Sequence, residues 1–499
     1  MSHPFNSGCA CCMPRGGLSR RQFLCGTASA AAAVPLFTAG FAGDAMAQGR
    51  RRAGRPILLK GGIVLSLDKA VGDFERADVL IEGTKISAVR PDIDAPNARV
   101  IDASRSIVMP GFVDTHRHMW QGFLRGVLPD GSLQDYIQTV QRKFGANFVP
   151  DDVYAAEVLS GLGCIDAGVT TVLDWSHIHN SPEHTDAAIQ GLKDSGVRAV
   201  FAYGTPQTVS GNWREAPKQK YPGDIARLRK QYFNSGDQLL TLYLASPGGA
   251  PDQVMPIWKA ARDAGAPITI HVGVGTFGRS AFLEKMHALE PLKSDTTYIH
   301  CCTLNDTEWK LIKDSGGTIS IAGYVEMLMG HGNPPTQKAL DMGIRPSLSV
   351  DVETSVPNDF FTQMRSVFSL QKNEVWAKRL AGEKTVPEFL KVRDVLEFAT
   401  VEGARANGLS KKVGTLTPGK EADVIMLRTD LINVTPINSA VGAVVTSMSP
   451  QNVDTVLIAG RVVKRRGRLV GVDMNRVNRM GREAQARAYK AAGLPDKRI

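Results

Sequence analysis

Apolar positions along the chain follow two regimes. From Ile57 onward, short β-type runs alternate with turn breaks: Ile57–Leu59, Gly62–Leu65 and Asp78–Ile86. The same regime returns near the other end, at Gly414–Leu427 and Val453–Arg461 with Val462 and Val463. Two strand-rich ends enclosing a long centre predict one small β-sandwich built from residues 56–109 and 411–472. Between them, short apolar runs alternate with segments of helical period. The runs are an apolar stretch ending at His116 and His118, then Gly168–Asp174, Val197–Tyr203, Leu239–Ala245, Pro267–His271, Thr297–His300, Thr318–Ala322 and Pro346–Asp351. Eight strand–helix units over residues 110–410 predict an α/β fold, a TIM (β/α)8 barrel. An open doubly wound sheet is the alternative, but no glycine-rich phosphate loop follows any of these runs. Residues 473–499 are polar with helical composition and predict a tail docked on the outside.

The first fifty residues break from this pattern. Ser19-Arg20-Arg21-Gln22-Phe23-Leu24 precedes a weakly apolar run rich in Ala, Gly and Thr, and Ala45-Met46-Ala47 offers a cleavage site. Residues 1–47 therefore read as a twin-arginine signal peptide, which implies the Tat export machinery as a partner and a periplasmic or secreted location. A stable membrane anchor is not expected, because Pro35, Gly40, Gly43 and Asp44 interrupt the run. Removing this segment takes away three positive charges and one negative, leaving +8 of the formal +10. The remaining basic clusters, Arg50–Arg52 and Lys464–Arg466, flank strands without interleaved aromatics, which argues against nucleic acid. Four of the seven cysteines lie inside the signal; Cys164, Cys301 and Cys302 remain and make no disulfide framework.

The chemistry collects at the ends of the central strands. Residues i and i+2 of a strand share a face, so His116 and His118 can share one cation. His271, His300 and Asp351 each close a later strand. Functional groups of a (β/α)8 barrel gather at that rim. Histidines with one carboxylate suit zinc, or iron, rather than calcium or magnesium. His177 and His179, with His184 behind them, form another HxH; they read as a polar loop with one histidine towards substrate and the others towards solvent, in preference to a second metal.

The stretch Pro110-Gly111-Phe112-Val113-Asp114-Thr115-His116-Arg117-His118, with "GTLTPGKEADVIML" at 414–427, resembles the amidohydrolase superfamily, and in particular its single-metal branch with cytosine deaminase and the triazine chlorohydrolases. The resemblance implies a metal-dependent hydrolase using a metal-activated hydroxide on a small, cyclic substrate, with one divalent metal held by His116, His118, His271 and Asp351. It implies that His300 and Asp351 are catalytic and that the segment from Met119 to Gly126, including Trp120 and Gln121, lines the substrate pocket. The 239–246 strand has no lysine for a second metal. The relatives place a proton-shuttling glutamate three residues after the strand-5 histidine; here that position is Val274. Glu353 is then a candidate relay at the substrate, and Arg117 should point away from the metal into packing. His331 resembles a loop that approaches substrate in relatives, with Glu326 just before it. The missing glutamate tilts the expectation towards amide, lactam or amidine-type C–N bonds whose leaving group stays attached. Deamination or dechlorination of an N-heterocycle is the alternative, and a non-catalytic periplasmic metal- or ligand-binding protein is the rival from another class. A homo-oligomer is expected.

Overall fold

The computed structural model describes residues 54–215 and 220–496; the export signal read at residues 1–47 lies outside them. Two sheets organise the chain. Eight parallel strands form a nearly closed barrel: β6 (Phe112–Arg117), β7 (Val169–Ser176), β8 (Arg198–Tyr203), β9 (Leu240–Ser246), β10 (Ile268–Val272), β11 (Thr296–His300), β12 (Thr318–Ile321) and β13 (Ser347–Leu348). They neighbour one another in chain order, and helices such as Pro150–Asp166 and Pro182–Ser195 return the chain between them. The strands are buried almost throughout, as a parallel sheet covered by helices requires.

Closure between β13 and β6 is made by backbone beyond the short β13 ladder. Asp351 N–H donates to the His116 carbonyl at 2.9 Å, and His118 N–H donates to the Asp351 carbonyl at 2.8 Å. The Thr115 hydroxyl sits at the same seam, 2.7 Å from Ser320 Oγ, 2.9 Å from Ser347 Oγ and 2.9 Å from the Leu348 carbonyl.

The chain ends build the second sheet from β1 (Ile57–Val64), β2 (Phe74–Glu82), β3 (Lys85–Arg90), β4 (Arg99–Asp102), β5 (Ser106–Pro110), β14 (Val424–Arg428), β15 (Val453–Ile458), β16 (Arg461–Arg465) and β17 (Arg468–Leu469). Its order is β17-β16-β15-β14-β5-β1-β2-β3, with β4 beside β1. As expected, both chain ends build one small β domain: its ladder is continuous and brings Leu59, Val79 and Ile86 into a common core with Val424, Met426 and Leu457. The junction with the barrel is Gly111. The apolar run before His116 divides there, β5 pairing with β14 and β6 with β7. A Cβ at Gly111 would stand 2.2 Å from Thr170 side-chain atoms, so only glycine lets the two strands pass this close. The C-terminal helix Met474–Ala492 packs on the outside, with Arg487 paired to Asp152 and Tyr489 edge-on to Phe144 at 5.0 Å. No helix among the described residues is long and apolar enough to cross a membrane.

Candidate metal centre

The strand ends converge on one carboxylate. His116 stands near the end of β6 and His118 just beyond it, with their ring centroids 4.7 Å apart; His271 stands near the end of β10, and His300 ends β11. His116 Nε2 lies 2.9 Å from Asp351 Oδ1 and 3.1 Å from His271 Nε2. His118 Nε2 lies 3.3 Å from the same Oδ1, and His300 Nε2 lies 3.6 Å from Oδ2. One ligand-type atom from each of His116, His271, His300 and Asp351 falls within 4.8 Å of all the others. Both His300 and Asp351 have φ of 72°, and Cys301 has 59°. Left-handed backbone at three non-glycine residues is strain of the kind that concentrates at functional sites.

The donor set fits a divalent transition metal. The His118 Nδ1–H donates to the Trp175 carbonyl at 2.8 Å, so its Nε2 faces Asp351 with a lone pair. Burial holds the other imidazoles neutral: His116 is pushed down to about 3 and His300 to about 4, and His271 falls well below its ordinary value. The histidines draw the Asp351 carboxyl well below the usual range against its own burial, so it is ionised. Several imidazole lone pairs and a carboxylate crowded together repel one another unless a cation sits among them.

The His300 tautomer follows from its neighbour. Glu326 Oε1 accepts from the Ala322 N–H at 2.8 Å and lies 3.1 Å from His300 Nδ1. An oxygen already accepting leaves the donor role to Nδ1–H, so Nε2 carries the lone pair that faces the site. Burial pushes the Glu326 carboxyl up to about 8, so it is protonated at neutral pH. In that state its proton belongs on Oε2 rather than on the accepting Oε1.

A cavity of about 580 Å³ opens over the cluster. Its walls are mainly apolar, with Leu133, Ile137, Val274, Phe277 and Met329, and His177 and His331 are among its polar groups. Three residues expected at the substrate lie behind these walls instead. Trp120 is buried and donates from Nε1 to His177 Nδ1 at 3.0 Å. Gln121 donates to the Tyr136 hydroxyl at 2.6 Å and accepts from Glu353 N–H at 3.1 Å. Glu353 is taken up by Arg125 at 2.8 Å, Arg117 at 3.4 Å and the Ser160 hydroxyl, because the fully buried Arg117 guanidinium needs carboxylates around it and the more exposed Arg125 reaches in to the same one. Arg117 turns away from the cluster, pairing with Asp114 at 2.8 Å. His177 reaches the cavity, bonded also to Gln141 at 3.0 Å. His179 and His184 are not solvent-facing as expected: both are buried, one against Thr185 and the other between Ser181 and the Phe148 carbonyl.

The amidohydrolase family model matches residues 107–463, which takes in every barrel strand and, of the second sheet, β14, β15 and most of β5 and β16. This chain belongs to the amidohydrolase family. Within it, the sequence is 27% identical to a 5'-deoxyadenosine deaminase of Methanosarcina mazei, over 84% of this chain and 95% of that one. It is equally 27% identical to a 5-methylthioadenosine/S-adenosylhomocysteine deaminase of Pyrococcus abyssi, over 84% and 96%. Among solved structures, an adenosine deaminase from Xanthomonas campestris with bound zinc superposes with a TM-score of 0.74 at 20% identity, over 87% of this chain and 98% of that one. The zinc complex of atrazine chlorohydrolase TrzN from Arthrobacter aurescens gives 0.72 at 21%, over 87% and 100%. These likenesses establish the amidohydrolase barrel with its accessory sheet. The glutamate expected of the deaminases is absent, and Val274 stands in the cavity wall at its place.

Proposed function

We propose that this amidohydrolase is a metal-dependent hydrolase of a C–N bond in a small N-heterocycle. The observation that carries the reading is the convergence of four imidazoles and Asp351 at the base of an open cavity, in a chain whose relatives are named as deaminases of adenine nucleosides and as a triazine chlorohydrolase. His116, His118, His271 and Asp351 would hold one ion, zinc on the strength of the histidine-rich donor set and of the zinc bound in the Xanthomonas and Arthrobacter proteins. When bound, such an ion supplies a Lewis acid that makes water a nucleophile near neutral pH.

The chain's own groups then handle the protons. Asp351 Oδ2 and His300 Nε2, 3.6 Å apart, are the two acceptors positioned to take a proton from the attacking water. Once protonated, His300 can donate from Nε2 to the departing nitrogen, while its Nδ1 stays anchored on Glu326. This route does the work of the missing glutamate. Ring opening of a lactam or imide stays as a second reading, because Val274 removes the shuttle and a ring nitrogen remains attached after cleavage. The test is a turnover screen of metal-loaded protein on aminated heterocycles, chlorinated heterocycles, lactams and imides. Ammonia release from an aminated ring is expected; stoichiometric metal with no turnover on any class would favour a binding protein instead.

Export completes the reading. Arg20 and Arg21 in Ser19–Leu24, and the Ala45-Met46-Ala47 cleavage site, support passage by the twin-arginine route to the periplasm. Such a route carries folded protein, which suits an enzyme that acquires its metal before crossing the membrane.

A further inference from the structure

The His331 ring is held over the cavity with no hydrogen-bond partner among the described residues. Its N–H donates to the Glu326 carbonyl at 2.9 Å, and its own carbonyl accepts from Gly275 N–H at 2.7 Å. The turn is thereby tied on one side to the helix Gly323–Leu328 and on the other to the segment after β10. The imidazole is only 3% exposed and meets the His300 ring edge-on at 4.6 Å, yet neither ring nitrogen has a partner. Buried polar groups left unpaired are costly and uncommon in native proteins, and a ligand is one of the few things that completes them.

Trp175 Nε1 is the other unpaired buried nitrogen of the cavity wall among the described residues, a donor only, whereas several neighbouring polar groups are engaged. His177 is bonded to Trp120 and Gln141, Tyr136 to Gln121, and Glu308 to the Leu283 N–H. No lysine or arginine lines the cavity among the described residues. The proposed ion faces the atom under attack, so an anionic group elsewhere on the ring would be buried without a side-chain counter-charge, which is unfavourable. A neutral imidazole, by contrast, offers one N–H and one lone pair.

We propose that His331 selects the substrate: one of its ring nitrogens hydrogen-bonds a heteroatom of an uncharged heterocycle, away from the carbon under attack. The proposal rests on the hydrolase reading. The turnover screen comes first, so that a failure there counts against that reading before His331 is altered. On the best neutral substrate found, H331F is compared with wild type, together with ring analogues in which single nitrogens are replaced by C–H. We expect H331F to keep its metal and melting temperature while losing roughly tenfold or more in kcat/KM. H331Q should recover part of that loss. One analogue should lose a similar factor in wild type and nothing further in H331F, which a merely structural histidine would not produce. Carboxylated analogues should be turned over at least tenfold less well than neutral ones. Equal losses across all analogues in H331F, or equal turnover of neutral and carboxylated rings, would overturn the proposal. Should H331F fail to fold, the same analogue series on H331A, which offers no side-chain donor or acceptor, decides the matter: undiminished discrimination between the analogues there refutes it.

Discussion

His116 and Asp351 are joined twice. The Asp351 N–H donates to the His116 carbonyl at 2.9 Å, and their side chains meet at 2.9 Å between Nε2 and Oδ1. The bond that closes the barrel between its first and last strands therefore also sets the distance between two candidate ligands. Any change that opens this seam should loosen the metal. Asp351→Asn keeps the backbone pairing but removes the charge, and should lower metal content and turnover together, by elemental analysis and assay. His271→Ala should do the same from the opposite wall. Wild type should bind one ion per chain; two tightly held ions would overturn the single-metal assignment.

Arg117 should be a stability residue with an effect on catalysis. It is fully buried between Asp114 and Glu353, and its backbone bridges to Asp351. Arg117→Met leaves the buried Asp114 carboxylate without a counter-ion while Glu353 keeps Arg125, and a loss of about 3–5 kcal/mol is the usual scale for breaking such a buried pair. Adding Asp114→Asn should restore part of it. Denaturant unfolding of the single and double variants measures both.

The proton route can be tested at position 274. Val274→Glu puts a carboxyl into the cavity wall where relatives carry one. If His300 already serves the leaving group, the native reaction should change less than about tenfold, since a well-placed general acid is worth 10²–10⁴-fold where none existed. A strong acceleration would show that the native path is poor.

Acid should destabilise the fold through its buried histidines. Burial, with His184 nearby, pushes His179 down to about 3, so the folded state excludes a proton that the unfolded chain takes up near its ordinary value. That stability is whole above about pH 6.5 and is lost as pH falls towards 3, at no more than about 1.36 kcal/mol per pH unit. His179→Gln should be less stable at pH 7 but show a slope shallower by close to one proton between pH 6 and 4. Unfolding curves across that range read the difference; an unchanged slope would mean that His179 does not titrate in the transition.

Export should depend on the arginine pair. An Arg20→Lys, Arg21→Lys double variant should remain in the cytoplasm with its signal uncut. Processed protein in the periplasm would refute the twin-arginine assignment.

The period of the apolar runs was sufficient to find the eight barrel strands, because parallel strands buried on both faces read as continuous apolar stretches bounded by turns. The strand-end positions of His116, His118, His271, His300 and Asp351 followed from the same count. What the sequence could not reveal was which polar side chains satisfy one another. Gln121 and Glu353 lie 232 positions apart and Ser160 and Glu353 193 apart, yet all three meet behind the cavity. Local spacing carries no information about such encounters. Glu353 therefore looked like a relay from the chain alone, and became a counter-ion once Arg117 and Arg125 were placed beside it. His331 shows the reverse case. The resemblance placed it on a loop that approaches substrate in relatives, but only the packing of its turn between Glu326 and Gly275 leaves its ring buried with both nitrogens unpaired. Periodicity determines where a strand ends; the competition among buried charges and hydrogen-bonding groups, decided only when distant segments pack, determines which of the residues there are left free for chemistry.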